Sequence, residues 1–566
     1  MKKQLVTAAL PYGNGPLHFG HIAGVYLPAD IYTRHKKLMG IKCLYISGSD
    51  EHGVAITMNA KKAGVDYQEY VDSWHNDHKS LFDKYGIEFD FFGQTSSDYH
   101  KEETLKWFTN LYEKGLIEKQ DEKQLQCQDC NNFLPDRYVE GTCYECDYEQ
   151  ARGDECPKCG TWIEAIKLKS PVCKFCESKN IEVVDCFQWH LMLKKFQDEY
   201  DAWLETKPHW KKTTHPYLES LAKKGLVNRA ITRDLDWGID VPLEEAKGKK
   251  LYVWFDAPIG YVSNTKKCLE GTGEDYLNDW WNNSDTQITN FIGKDNIIFH
   301  GLIFPIMSMA SGIVRAVDEL PANQYVNLQG KQFSKSTGWY VDAHKAVDDF
   351  GQDALRFYLA SLIPEMQDSS FTWEGFEVKI NNELANNIGN FINRCLKFYA
   401  KNFPEGLSEK DVSAFKDSAL AKDIKELSVN YRNHLDAFQF KKAIEALMKI
   451  GFKSNQYFSD REPWAKIKTD LEHAKETLYH ASIAAYLIGV YFQAFLPSLS
   501  SKILSHYADV FNEENLHLDI YQGNWDGLFE RLGKNSLKIV KKPEGLIPKI
   551  DKEVIAKLNE ELSGIK

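Results

Sequence analysis

The sequence has no uninterrupted apolar run of membrane-spanning length. Its longest apolar stretch, Ala481 to Leu499, is broken by Ser482, Tyr486, Gln493 and Pro497, which suits a buried helix of a bundle better than a bilayer span. The basic start Met1-Lys2-Lys3 leads into an apolar run that ends at Pro11, so no secretory leader is read. A soluble, cytoplasmic protein is expected. Low-complexity tracts are also missing. With 43% hydrophobic and 13% aromatic residues, the composition excludes a largely disordered chain. An excess of positive charge is missing too. The formal net charge is −12, so a nucleic-acid partner would need a local basic face.

What is present is length and cysteine. At 566 residues the chain should hold several domains. Eight of its twelve cysteines stand in Cys-x-x-Cys pairs that begin at Cys127, Cys143, Cys156 and Cys173. In a cytoplasmic chain this spacing argues for metal rather than disulfides. The segment from about Gly115 to Asp185 shows little helical periodicity and reads as an inserted module stapled by metal, because its own apolar core is inadequate. Eight thiolates suit two tetrahedral zinc sites, and full cysteine ligation makes both structural. Two pairings are open. Sequential pairing joins Cys127 and Cys130 with Cys143 and Cys146, and Cys156 and Cys159 with Cys173 and Cys176. Nested pairing joins Cys143, Cys146, Cys156 and Cys159, and closes the ends through Cys127, Cys130, Cys173 and Cys176. Cys43, Cys186, Cys268 and Cys395 read as small core residues.

The chain is organised around residues Leu10 to Gly24. A β-prone run, Gln4 to Ala8, precedes Pro11, Gly13, Gly15 and Pro16, which force a turn. His18 and His21 follow at the mouth of a helical pattern that runs to about Met39. Strand, glycine loop and helix N-terminus make an anion site, and imidazoles one turn apart face the same way. The plainer reading is a βα turn with two surface histidines. Lys42 to Gly48 is a buried strand that runs into Asp50, Glu51 and His52, where ligands bind an open parallel sheet. Helical patterns follow, through Tyr85 and from His100 to Tyr112. The α/β signal resumes after the cysteine-rich segment, with strands expected at Leu251–Phe255, Thr289–Ile292 and Tyr325–Leu328. From about Phe376 the pattern is helical to beyond residue 500, with Leu420, Ile424, Leu427, Tyr431 and Leu435 as one amphipathic stripe. The tail after about Asn524 is either a last helix packed back on the body or a linker.

Gly330 to Ser336 is a small basic loop with Lys335 at its centre. His-x-Gly-His near the N-terminus and Phe-Ser-Lys-Ser far downstream resemble, in this order, the two signatures of class I aminoacyl-tRNA synthetases. The loop departs from the usual Lys-Met-Ser-Lys-Ser. Gln332 takes the first lysine position, Lys331 sits one place earlier, and Phe333 replaces Met. About 310 residues separate His21 from Lys335, too few for the large editing domain of relatives that charge Ile, Val or Leu. Cysteinyl relatives are of this size, but their zinc sits in the amino-acid pocket. Residues 8–15, Phe133–Arg137, Tyr252–Tyr261 and Phe291–Asp295 together resemble the methionyl-tRNA synthetase family, from the N-terminus to about residue 500.

The resemblance implies an α/β fold: a Rossmann-type parallel sheet split by a zinc-binding insertion, followed by an α-helical bundle domain. Residues 1–115 would be the first half of the nucleotide-binding catalytic domain, 116–230 the inserted connective domain and 231–325 the second half. Residues 326–375 would be a linker subdomain with the lysine loop, 376–545 the anticodon-binding domain and 546–566 a C-terminal tail. It implies that methionine and ATP, with Mg²⁺, give methionyl-adenylate and pyrophosphate, and that the methionyl group then passes to the 3′ end of a tRNA. His18, His21 and Lys335 would neutralise charge that develops on the phosphates. Leu10, Tyr12, Trp254, Ala257, Pro258, Tyr261, Phe299 and His300 would hold the thioether side chain, which gains from aromatic contact, and Asp50 the ammonium. Phe304 stands where bacterial relatives carry Trp. Gly293, Asp295, Val326, Ser334, Lys335 and Arg233 would bind ATP, Asp295 through the ribose. Asn390, Arg394 and Trp464 would read unpaired anticodon bases by hydrogen bonding and stacking. The resemblance favours the nested cysteine pairing.

Two other classes compete. A nucleotidyltransferase also uses a His-x-Gly-His turn, but such enzymes are short and lack the helical domain and the cysteine insert. A non-catalytic RNA-binding module with zinc knuckles would have no use for intact His18, His21 and Lys335.

Overall fold

The structure, a computed structural model, describes residues 3–134, 138–153, 156–159, 161, 163–334, 338–409, 412–541 and 544–563. Lys335 and the end of the Phe133–Arg137 stretch lie outside them.

Five parallel strands form the central sheet. Their order is Ala322–Asn323, Thr286–Gly293, Lys3–Ala8, Lys42–Ser49 and Phe91–Gln94. Leu5 sits between Ile288 and Leu44, and Ser47 faces Phe92. The three central strands are buried over nearly their whole length, as in parallel sheets covered on both faces. The order reverses beside Lys3–Ala8, so the crevice at the C-terminal ends of this strand and Thr286–Gly293 is where a ligand fits.

The expected strand at Leu251–Phe255 is corrected. Lys249–Leu251 is a short strand that pairs antiparallel with Thr232–Asp234, and Val253–Asp256 is a helical turn. A short apolar run does not distinguish strand from helix. Helical spacing lets Phe255 and Ile259 enter the core while Trp254, Ala257 and Pro258 face the crevice.

The insertion between Phe91–Gln94 and Thr286–Gly293 is built on a long antiparallel hairpin, Ile117–Cys127 with Ile181–Leu191. Its far end carries a second small sheet and its own core around Leu134, Tyr138, Val139 and Ile163.

The C-terminal half is helical. Ala419–Asp436, Phe440–Asp460 and Leu471–Phe492 pack together. Leu420, Ile424, Tyr431 and Leu435 are buried and Leu427 partly so. Residues 478–492 are buried throughout, as expected of a bundle helix. No helix among the described residues is long and apolar enough to cross a membrane. Of the two readings of the tail, the packed helix is found. Lys552–Ser563 buries Ile555 and Leu562, and Asn559 bonds both Gln329 and Glu374.

One side chain ties the halves together. Arg356 is fully buried, donates to Asp30 at 2.7 Å, and donates to the carbonyls of Tyr85 (2.9 Å), Gly86 (3.0 Å) and Phe495 (2.8 Å). A cavity of about 710 Å³ opens beside this junction, lined by Arg34, Lys37, Gln493 and Ser500 among others. None of the candidate site residues lines it.

Candidate active site

A second cavity, of about 630 Å³, occupies the crevice at the sheet's reversal point. The turn after Lys3–Ala8 is stitched to the end of the neighbouring strand. Asp50 N donates to Pro11 O (2.8 Å), and Gly13 N donates to Asp50 O (2.7 Å). This places Leu10, Tyr12 and Asp50 on one wall.

His18 caps the helix that follows. Its Nδ1 accepts from Gly20 N at 3.1 Å, and His21 Nδ1 accepts from His18 N at 3.1 Å. An Nδ1 that accepts an amide N–H leaves the ring proton on Nε2. Both imidazoles therefore present Nε2–H donors, with ring centroids 3.9 Å apart, and both line the cavity. Gly20 is required here, because a Cβ would lie 2.8 Å from His18 Cε1. The second signature meets the first through Phe333, whose ring stacks on His18 at 4.3 Å and 7°.

Asp50 is 7% exposed, and its Oδ1 accepts no hydrogen bond among the described residues. Burial, reinforced by the Asp256 charge, pushes its carboxyl well above the ordinary range. Such a buried carboxylate awaits a cation. Asp256 is different. Burial works against its charge, but His52 (Nδ1–Oδ2 2.5 Å) and His100 (Nε2–Oδ2 3.8 Å) hold its carboxyl below the ordinary range.

The rest of this part of the lining is aromatic and neutral. Trp254 lines the cavity with Phe299 stacked behind it, centroids 3.6 Å apart. His300 donates from Nδ1 to Asn296 O (3.0 Å) and accepts at Nε2 from the Tyr261 hydroxyl (2.6 Å). Burial drops its pKa to about 4, so the imidazole is uncharged near neutral pH. Ala257, Pro258 and Tyr261 complete this face. Phe304 lies behind it, packed against Tyr261, Trp107 and Trp281.

Gly293, Asp295 and Val326 line the other end. Ser334 and Arg233 do not. Ser334 N donates to Trp339 O. Arg233 packs over the ring of Tyr252, 4.0 Å from its centroid, and Tyr252 lines the cavity. Sequence reasoning passed over Asn296, Tyr325 and Asn327, and read Gln332 and Phe333 only as departures from the second signature; all five line the cavity. Adjacency to Asp295, Val326 and the lysine loop was the available signal.

The paired cysteines gather in two nested clusters, Cys127, Cys130, Cys173 and Cys176, and Cys143, Cys146, Cys156 and Cys159. Sγ–Sγ separations across pairs are 3.5 and 3.7 Å in the first, and 3.9 and 3.6 Å in the second. A tetrahedron with Zn–S of roughly 2.3 Å has an edge of roughly 3.8 Å, so the thiols fit zinc. Asn131, Asp147 and Glu177 follow the second cysteine of three pairs, each with positive φ, which turns the amide-lined knuckle around the sulfurs.

In the bundle, Arg394 lies one turn after the exposed Asn390, its guanidinium 5.1 Å from the Trp464 ring centroid. Trp464 is 41% exposed. It follows Glu462, held at φ 44° directly before Pro463, a conformation that both sterics and the following proline disfavour. π-helical segments, which are rare and cluster at functional sites, flank all three regions: Ile22–Tyr26 after His21, Phe299–Ile303 at His300, and Ile380–Gly389 before Asn390.

The chain matches the family of class I tRNA synthetases (M) over residues 4–396 and the anticodon binding domain of methionyl tRNA ligase over residues 407–566. The methionine–tRNA ligase of Porphyromonas gingivalis is 39% identical over 98% of this chain and 80% of its own length. That of Protochlamydia amoebophila is 44% identical over 83% and 67%. A solved Mycobacterium tuberculosis methionyl-tRNA synthetase bound by methionyl-adenylate, 22% identical, shares the fold with a TM-score of 0.78 over 97% of this chain and 100% of that one. The chain therefore belongs to the class I tRNA synthetases and, within them, to the methionine–tRNA ligases.

Proposed function

We propose that the 630 Å³ cavity is where methionine and ATP are joined, and that the adenylate formed there is consumed by a tRNA read at the Asn390, Arg394 and Trp464 surface. The carrying observation is the meeting of three features in one cavity: the buried carboxylate of Asp50 with one oxygen that accepts nothing among the described residues, a neutral aromatic wall, and two Nε2–H donors from His18 and His21. Asp50 holds the substrate ammonium. Trp254, Tyr261 and His300 enclose the thioether without offering it a charge. This poses the substrate carboxylate toward the histidines.

The carboxylate then attacks the α-phosphorus of ATP in line and pyrophosphate leaves. His18 and His21 donate to the phosphate oxygens as charge builds there. Lys335, seven residues after Leu328, supplies a cation to the departing phosphates. Mg²⁺ would supply further charge neutralisation when it accompanies ATP. Gly293, Asp295 and Val326 hold the nucleoside. The cysteine clusters act as structural zinc sites, with no open coordination position because all four ligands are protein thiols. The division into catalytic halves 1–115 and 231–325, insertion 116–230, linker 326–375 and anticodon-binding domain 376–545 follows this use of the chain. The protein works in the cytoplasm, where tRNA is charged.

The test is ATP–pyrophosphate exchange measured with each of the twenty amino acids. Exchange with methionine alone is expected. Exchange with another amino acid would discard the pocket reading, and exchange with none in a folded, zinc-loaded protein would favour a tRNA-binding role without chemistry.

A further inference from the structure

Asp295 is not alone at its end of the cavity. The hydroxyl of Tyr325 donates to Asp295 Oδ1, and both residues line the cavity. Tyr325 is itself held on every side. Its amide donates to Asp368 Oδ1 at 2.9 Å and its carbonyl accepts from Ser369 N at 2.9 Å. The ammonium of Lys294 sits 3.8 Å from the centre of its ring, and the same ammonium is 3.0 Å from Asp368 Oδ1. A cation over a phenol ring favours one ring position, and backbone bonds on both sides remove the freedom of the main chain. Four side chains from three segments thus fix one hydroxyl against one carboxylate oxygen.

We infer that Tyr325 is a positioning residue that orients the Asp295 carboxylate toward the ribose of ATP and thereby sets the preference for a ribonucleotide. The inference rests on the reading that Asp295 holds the ribose. A carboxylate accepts at two oxygens. Tyr325 uses Oδ1, which fixes the rotation of the group and leaves Oδ2 for the ribose hydroxyls. Asp295 is exposed, so without that bond its carboxylate would turn among hydrated rotamers, and the ribose contact would form only after an ordering step. The gain from the contact depends on the hydroxyl donors of the ribose. A nucleotide that lacks one of them gains less from a pre-oriented carboxylate.

The experiment is ATP–pyrophosphate exchange by Y325F with ATP, 2′-deoxy-ATP and 3′-deoxy-ATP at saturating methionine, beside the unaltered enzyme and D295N. Phenylalanine keeps the ring under Lys294 and removes only the hydroxyl. The expected result is a KM for ATP raised about tenfold, the lower range for a hydrogen bond to a charged group, with kcat and the KM for methionine little changed. The preference for ATP over the deoxynucleotides should shrink by a similar factor. K294M should move both quantities in the same direction by less. An equal rise in KM for all three nucleotides would overturn the inference, since Tyr325 would then act on the base or phosphates. A fall in KM would also overturn it, because the hydroxyl would be a competitor for Asp295. If D295N itself keeps the full ribonucleotide preference, the ribose reading of Asp295 fails. If D295N loses that preference and Y325F keeps it, only the role of Tyr325 fails.

Discussion

Replacing Asp50 with asparagine separates the substrate-binding role of this carboxylate from any structural one. The side chain is buried, one oxygen accepts nothing among the described residues, and its carboxyl is pushed well above the ordinary range by burial and by the charge of Asp256. The group is therefore a liability to the unliganded fold. A carboxyl whose folded pKa lies above its unfolded value contributes stability below the unfolded pKa and loses it as pH rises through the folded pKa. Stability of the ligand-free protein should fall as pH climbs out of the ordinary carboxylate range, and methionine binding, which needs the ionised form, should rise over the same window. The D50N substitution removes the charge and keeps the shape. Loss of one partner from a buried charge pair is worth about 2–5 kcal/mol, or roughly 30- to 4,000-fold in kcat/KM for methionine. Over the same comparison, the melting temperature of D50N should equal or exceed that of the parent at pH 8, and its pH dependence should flatten. Exchange kinetics against methionine, with thermal melts across pH 5–9, supply both readouts. A variant with a lower melting temperature and an unchanged methionine KM would refute the assignment, because Asp50 would then be paired within the fold.

Three further perturbations read other parts of the molecule. Arg356→Met leaves the buried carbonyls of Tyr85 and Phe495 without their side-chain donor, while Arg34 still serves the Asp30 carboxylate and the Gly86 carbonyl; it should destabilise the fold by about 1–3 kcal/mol in chemical denaturation, and a loss under about 0.5 kcal/mol would mean that water replaces the guanidinium. Chelation of the protein, or Cys127→Ser, should release zinc and unfold the insertion, seen as two zinc ions per chain by metal analysis before treatment and as proteolysis near the Cys-rich segment after it. Trp464→Ala should weaken charging of full-length tRNA by about 1–3 kcal/mol, the usual worth of one stacked base, while leaving pyrophosphate exchange intact; equal loss in both assays would make Trp464 a packing residue.

The sheet, the bundle and the cysteine-clustered insertion were legible because each rests on a local periodicity or spacing: buried runs at Lys3–Ala8 and Lys42–Ser49, a three-four stripe at Leu420–Leu435, and Cys-x-x-Cys pairs. The grouping of the cysteines was not fixed by spacing. It follows from long-range pairing, because Cys127 faces Ile181 at the hairpin's end and Val139 faces Cys173, which brings the outer pairs together around the inner ones. The strand expected at Leu251–Phe255 failed for the opposite reason. β-branched and aromatic residues there serve a helical turn whose two faces meet different surroundings. Adjacency to Val326 and the lysine loop marked Tyr325 and Phe333 but not what they touch, since their partners, Asp295 and His18, are 30 and 315 residues away in sequence. Lys335, the residue on which the second signature turns, lies outside the described residues.

The cavity's walls show why one charge is tolerated in it and others are not. Two carboxylates, Asp50 and Asp256, lie buried near each other, and each has an oxygen that accepts nothing among the described residues. If both were left bare, the repulsion would expel one charge by protonation. The structure answers with the imidazoles of His52 and His100 on Asp256 alone, so these side-chain partners are given to the carboxylate behind the wall and withheld from the one that faces the cavity. His300 receives the reverse treatment. Tyr261 and Asn296 occupy both its nitrogens, and burial drops its pKa to about 4, which removes a cation from the wall proposed to enclose the thioether. On the proposed reading, a cationic ammonium and an uncharged side chain thus meet different surroundings before either arrives. On this account a charged side chain is refused because the wall offers it no counter-charge, and Tyr261→Phe, which leaves burial holding His300 uncharged, should raise the KM for methionine in ATP–pyrophosphate exchange without admitting a charged amino acid; exchange with lysine or glutamate by that variant would refute the account.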